Sequence, residues 1–208
     1  MASARDITTF VNSDLSGVET LATRPRRPIE IVEPDPAWPA AFEAVAAKVR
    51  SALGEHALAV EHVGSTSVQG LPAKPIIDID LIVADSTDEA TYAPALQAAG
   101  FTFLFRERGW YEHRFFTLDA PVTNLHVWGP AAPEPARHAM FRDWLRDHAD
   151  DRESYARVKR EAAEASERGG ETVHQYNARK EGLIREILGR IFDTTGLTAA
   201  AEAEGNDI

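Results

Sequence analysis

Between residues 38 and 53 apolar side chains recur every three or four positions: Trp38, Phe42, Val45, Val49 and Leu53. That spacing lines one face of a helix over Trp38–Leu53, with Pro36 near its start. Other stretches follow the shorter period of a strand: Ile29–Val32, Ala57–Val63, Ile76–Val83, Phe101–Phe105, His113–Leu118 and Asn124–Trp128. Ala90–Ala99 reads as a helix stopped by Gly100. From Pro135 the helical period returns in three segments, Pro135–His148, Arg152–Arg168 and Val173–Phe192. Strands mixed with helices, followed by a helical segment, predict an α/β or α+β fold. We expect a mixed β-sheet of about five strands flanked by helices.

The ends read differently. Residues 1–28 lack a clear period and carry Arg24, Pro25, Arg26, Arg27 and Pro28. They predict a loosely ordered arm, in which Phe10, Val11, Leu15 and Val18 are compatible with a short helix over Ile7–Leu21. One domain is expected over 29–196, with a frayed Ala/Glu-rich tail over 197–208.

Composition then narrows the function classes. The chain has 208 residues, 44% of them hydrophobic, enough for a substantial core. It has no cysteine, which excludes disulfides, thiolate zinc sites and a cysteine nucleophile. No apolar run approaches the roughly 20 residues that span a bilayer, and no secretory h-region opens the chain. A cytoplasmic protein without membrane partners is the expectation. The net charge of −11 argues against a long nucleic acid as ligand. A small phosphorylated molecule needs only one local pocket and stays open.

Chemistry concentrates in EHVGSTSVQGLPAKPIIDIDLIV, residues Glu61–Val83. On a strand, Asp78 and Asp80 share one face and stand roughly 7 Å apart, while Ile77, Ile79 and Leu81 take the other. Two carboxylates among apolar neighbours call for a counter-charge, and a divalent cation is the natural one. Removing one of the two charges is then expected to be mildly stabilising. A wet strand end is the alternative. The turn Gly64-Ser65-Thr66-Ser67 offers consecutive backbone N–H groups and three hydroxyls to a phosphate. Lys74, between Pro72 and Pro75, reads as a further phosphate contact or an exposed loop lysine. His62 stands where it can brace the turn. Arg114 lies amid apolar strand residues and needs an anion, either a carboxylate or a substrate phosphate. Trp110, Tyr111 and Trp128 are candidates to stack a base, or core residues.

A Gly-Ser turn, a short spacer and Asp-x-Asp resemble the DNA polymerase beta-type nucleotidyltransferase superfamily. The whole of EHVGSTSVQGLPAKPIIDIDLIV looks like the signature of the GrpB family within it, and IVEPDPAW, NLHVW and YNARKEGLIREIL extend the likeness over about residues 30–192. The resemblance implies a nucleotidyltransferase-like fold. It implies nucleotide phosphates on Gly64 and Ser65, and catalytic Mg²⁺ or Mn²⁺ on Asp78 and Asp80. Tyr176 and Lys180, one helical turn apart, resemble a C-terminal element of the family that closes over a triphosphate, and an exposed amphipathic face is the alternative. The superfamily places a third carboxylate on a neighbouring strand. Here Asn124–Trp128 puts His126 there instead, as metal ligand, general base or sheet-internal histidine. Family members fused to a dephospho-coenzyme A kinase suggest such an enzyme as partner. Three activities follow: nucleotidyl transfer from an NTP to a small acceptor, including activation of a carboxylate for ligation; a nucleotide- or partner-binding module; and metal-dependent phosphoester hydrolysis.

Overall fold

The computed structural model describes residues 2–11 and 17–206. In chain order the elements are α1 (Ala4–Thr8), β1 (Val18–Thr20), α2 (Trp38–Leu53), β2 (Ala59–Val63), β3 (Ile77–Ile82), α3 (Ala93–Ala98), β4 (Thr102–Glu107), β5 (His113–Asp119) and β6 (Val122–Trp128). Four helices follow: α4 (Glu134–Asp147), α5 (Ala149–Gly169), α6 (Val173–Thr194) and α7 (Leu197–Asn206). The strands form one six-stranded mixed sheet in the order β1-β4-β5-β6-β3-β2. β3 and β6 are parallel, and every other neighbouring pair is antiparallel.

Period-two alternation gives this sheet two unlike faces. Ile77, Ile79, Leu81, Leu125, Val127 and Phe116 pack against Trp38, Phe42, Val45 and Val49 of α2 and Leu96 of α3. The opposite face carries Asp78, Asp80, Asn124 and His126, whose register aligns Asp78 with Asn124 and Asp80 with His126. On that side α4, α5 and α6 build a second apolar cluster around Leu145, Tyr155, Ile187, Leu188 and Phe192.

Several expectations need correction. The sheet has six strands, and Ile29–Val32 is not among them. Pro28 and Pro34 flank that segment and cannot donate to a ladder. Val32 makes only an isolated bridge to Ala73, while Ile29 and Ile31 pack on Ala162, Ala163 and Tyr176. The sixth strand is Val18–Thr20, paired with the edge of β4 and tied by Glu19 to Arg106 at 2.7 Å. That excludes a helix running to Leu21. Helix α1 ends at Thr8, and Leu15 lies outside the described residues. The helix read over Ala90–Ala99 is a single 3-10 turn at Glu89–Thr91, then α3, because Tyr92 breaks from helical geometry at φ −134°. Of the segment read as a tail, Leu197–Asn206 forms α7, which packs against α1 and accepts the Ala4 and Arg5 amides on Glu204, while 207–208 lie outside the described residues.

Candidate functional site

The turn after β2 begins at Gly64, with φ +68° and its Cα pressed against β3. A Cβ there would meet Asp78 Oδ2 at 2.5 Å, so only glycine lets the turn approach the carboxylate. Ser65, Thr66 and Ser67 then form one 3-10 turn. Thr66 Oγ1 donates to the Ile76 carbonyl and meets His62 Nε2 at 3.1 Å. His62 stacks on Phe42 with ring centroids 4.6 Å apart, so it braces the turn, and burial lowers its pKa to about 4.

Beside this turn lies a cavity of about 690 Å³. Its walls include Gly64, Ser65, Thr66, Lys74, Asp78, His126, Tyr176 and Lys180. Three predicted residues do not line it: Asp80 is fully buried behind the wall, and Ser67 and Arg114 lie elsewhere. Ser67 is buried, its hydroxyl donating to the Gly64 carbonyl at 2.5 Å. Arg114 aligns with Val127 and therefore faces the opposite side of the sheet, where it pairs with Glu89 at 2.6 Å and Glu112 at 3.0 Å. Its anion is a protein carboxylate. Of the aromatic candidates, Trp110 lines the cavity, whereas Trp128 is 0% exposed.

Asp78 accepts from Asn124 Nδ2 at 2.7 Å, and Asn124 Oδ1 accepts in turn from Arg24 at 2.8 Å. Burial raises the Asp78 pKa against the opposing pull of Asn124 and Lys74. Asp80 is 0% exposed and uses both oxygens: Oδ1 accepts from Trp128 Nε1 at 2.9 Å and Oδ2 from His138 Nδ1 at 2.8 Å. Burial opposes its charge, but His138 prevails and holds its pKa below the usual range. Burial also opposes charge on His138, and the Asp80 carboxylate nevertheless raises its pKa to about 9. The counter-charge that the strand pattern called for is thus a histidine of α4. Among the described residues, no group of three or more His, Cys, Asp or Glu side chains is arranged to hold a metal ion.

Three lysines, Lys74, Lys159 and Lys180, gather on one side of the cavity. Lys74 Nζ and Lys180 Nζ lie over the Tyr176 ring, at 4.9 and 4.2 Å from its centroid. Lys159, only 2% exposed, reaches the Pro72 carbonyl and lies 4.9 Å from the Tyr155 ring centroid. Burial, then Lys180, presses the Lys159 pKa to about 7; burial, then Lys74, does the same to Lys180. His126 is held near pKa 3 by burial first and by His113 next, so it is neutral.

Sequence reasoning missed His138, Lys159 and Tyr155. A signal for two of them existed. Tyr155, Lys159, Ala162, Ala163 and Ser166 form the buried stripe of α5, and a lysine on such a stripe is anomalous. His138 carried no comparable mark.

A family model described as GrpB protein matches residues 28–190. The chain is 49% identical over 162 residues to the UPF0157 protein BH1888 of Halalkalibacterium halodurans, covering 78% of this chain and 82% of that one. It is 30% identical over 194 residues to a dephospho-CoA kinase of Mycolicibacterium paratuberculosis, where it covers 81% of this chain but 47% of the kinase. The crystal structure of the conserved protein GrpB from Enterococcus faecalis superposes with a TM-score of 0.65 at 27% identity, over 78% of this chain and 99% of that one. The match spans the Gly-Ser turn, the Asp78/Asp80 strand and the lysine-bearing helices alike, and the chain belongs to the GrpB family.

Proposed function

We propose that the cavity binds a nucleoside triphosphate by its polyphosphate, and that the chain transfers the nucleotidyl group to a small acceptor. One observation carries the binding step. Lys74, Lys159 and Lys180 line one cavity with Asp78 and the Gly64–Ser65 turn, in a chain of net charge −11. Clustered, desolvated ammonium groups are costly unless an anion joins them. A polyphosphate supplies that anion, Gly64 allows its close approach and Ser65 offers a hydroxyl.

The resemblance also implies Mg²⁺ or Mn²⁺ on Asp78 and Asp80. The residues do not fit a two-carboxylate metal centre. Asp80 has given both oxygens to Trp128 and His138, and His126 Nδ1 is engaged with His113. In transfer, the lysines neutralise the pyrophosphate that leaves. The kinase relative suggests a dephospho-coenzyme A kinase as a companion enzyme.

The closed Asp80–His138 pair favours a second reading, nucleotide binding without turnover. Calorimetry with each of the four NTPs, with and without Mg²⁺, tests the binding step. We expect binding that needs no divalent ion and that Lys180→Met weakens by at least about tenfold. Pyrophosphate release in the presence of a metabolite pool selects transfer, and binding without release selects the second reading. If none of the four NTPs binds, both readings fail.

A further inference from the structure

Behind His126 runs a chain of hydrogen bonds that the polyphosphate reading does not use. His126 Nδ1 lies 3.0 Å from His113 Nε2, and His113 Nδ1 lies 3.2 Å from Glu107 Oε2. His113 and His126 are stacked with centroids 5.1 Å apart, and Trp110 and Trp128 hold His113 from two sides. His113 is 2% exposed, and burial keeps it neutral despite Glu107.

With Glu107 ionised and both rings neutral, proton counting along this chain has one solution. A carboxylate only accepts, so His113 Nδ1 carries a hydrogen and donates to Glu107. A neutral imidazole has one N–H, so His113 Nε2 is an acceptor. His126 Nδ1 must then donate to it. The second nitrogen of His126, Nε2, is left as a lone pair on a residue that lines the cavity.

We infer that Glu107 and His113 lock His126 as a hydrogen-bond acceptor toward the cavity, so that the ligand presents a hydroxyl or amine hydrogen there and not a phosphate or carboxylate. The inference rests on the nucleotide reading for the identity of that ligand. It divides the cavity by polarity: lysines and the Gly64–Ser65 turn take the anion, and His126 takes a neutral donor. Within the nucleotide reading that donor is a hydroxyl or amine of the nucleoside. Glu107 and His113 act as positioning residues, because they reach the ligand only through His126.

The tautomer is read directly from two-bond proton–nitrogen correlations of the ¹⁵N-labelled protein. We expect the His126 hydrogen on Nδ1, against the preference of free histidine. Glu107→Gln, whose amide oxygen still accepts, keeps that tautomer, and His113→Phe loses it. A wild-type His126 with its hydrogen on Nε2 overturns the inference. The ligand side is tested with ATP and with inorganic tripolyphosphate, which has the anion but lacks a hydroxyl or amine donor. His126→Phe is expected to weaken ATP about three- to tenfold and to leave tripolyphosphate unchanged. Equal loss for both places His126 on the phosphates and overturns the inference. If neither probe binds the wild type, the nucleotide reading has failed, while the tautomer still decides the relay.

Discussion

Ile79 and Asp80 are neighbours in sequence, both 0% exposed, and they point to opposite sides of the same strand. On the Ile79 side, stabilisation comes from apolar area, roughly 1.5–3 kcal/mol for each aliphatic side chain buried. On the Asp80 side it comes from individual pairings, with Trp128 and His138 each filling one oxygen. Area is forgiving of which apolar group supplies it. A buried charge is not, since removing its partner leaves it unpaired. The sheet therefore separates what holds the fold from what shapes the cavity, and substitutions on the two faces should fail differently.

The largest effect is expected on the apolar face. Ile79→Ala removes a fully buried side chain packed against α2 and should cost about 2–5 kcal/mol in urea denaturation. ATP affinity of the folded protein should stay close to wild type. If this substitution weakened ATP as much as Lys180→Met does, the two faces would not be separable.

Asp80→Asn should come next, at about 1–3 kcal/mol of lost stability. The amide cannot serve His138 as a carboxylate does, and burial then drives His138 to its neutral form, so the ion pair is lost. The sign is opposite to the sequence-based expectation, which had two carboxylates repelling each other and a gain on removing one. A raised melting temperature for Asp80→Asn would restore that expectation and remove His138 as the counter-charge.

The reversal marks what a sequence can and cannot hold. Strand periodicity placed Asp78, Asp80 and His126 on one face, because alternation is local and the parallel β3–β6 register preserves it. Arg114 was read only as needing an anion; the register with Val127 puts it on the other face, where Glu89 and Glu112 supply the carboxylates. Gly64 was legible as a tight approach. The atom it approaches, Asp78 Oδ2, is fourteen residues away, and no local pattern encodes it. His138 was illegible for the same reason: its partner lies 58 residues away, and its own helix shows no anomaly. Lys159 and Lys180 were readable as lysines on buried helical stripes, but their meeting with Lys74 depends on how α5 and α6 pack.

The Asp80–His138 pair also predicts a pH dependence. The His138 pKa is raised to about 9 from an ordinary value near 6.5. Its contribution to stability is fully present below the ordinary value and is lost as pH rises through 9. The stability difference between wild type and His138→Gln should therefore be largest near pH 6 and shrink steadily towards pH 9. A difference that stays flat across that window would show that His138 binds Asp80 as a neutral ring.

The smallest effect should run the other way, upward in stability, at Lys180. Burial, then Lys74, presses its pKa from 10.5 to about 7, so the folded state resists the proton that the unfolded chain accepts. That cost is full below pH 7 and disappears as pH approaches 10.5. Lys180→Met keeps the length of the side chain and removes the charge. It should raise stability at pH 6 by up to about 1 kcal/mol, with the gain fading as pH rises. The same substitution should weaken ATP, because the charge that burdens the empty cavity is the charge a phosphate would meet. Ile79→Ala loses stability and keeps binding; Lys180→Met should gain stability and lose binding. A Lys180→Met protein that melts lower than wild type at pH 6 would mean that protein groups already satisfy this ammonium, leaving no surplus charge there for a phosphate.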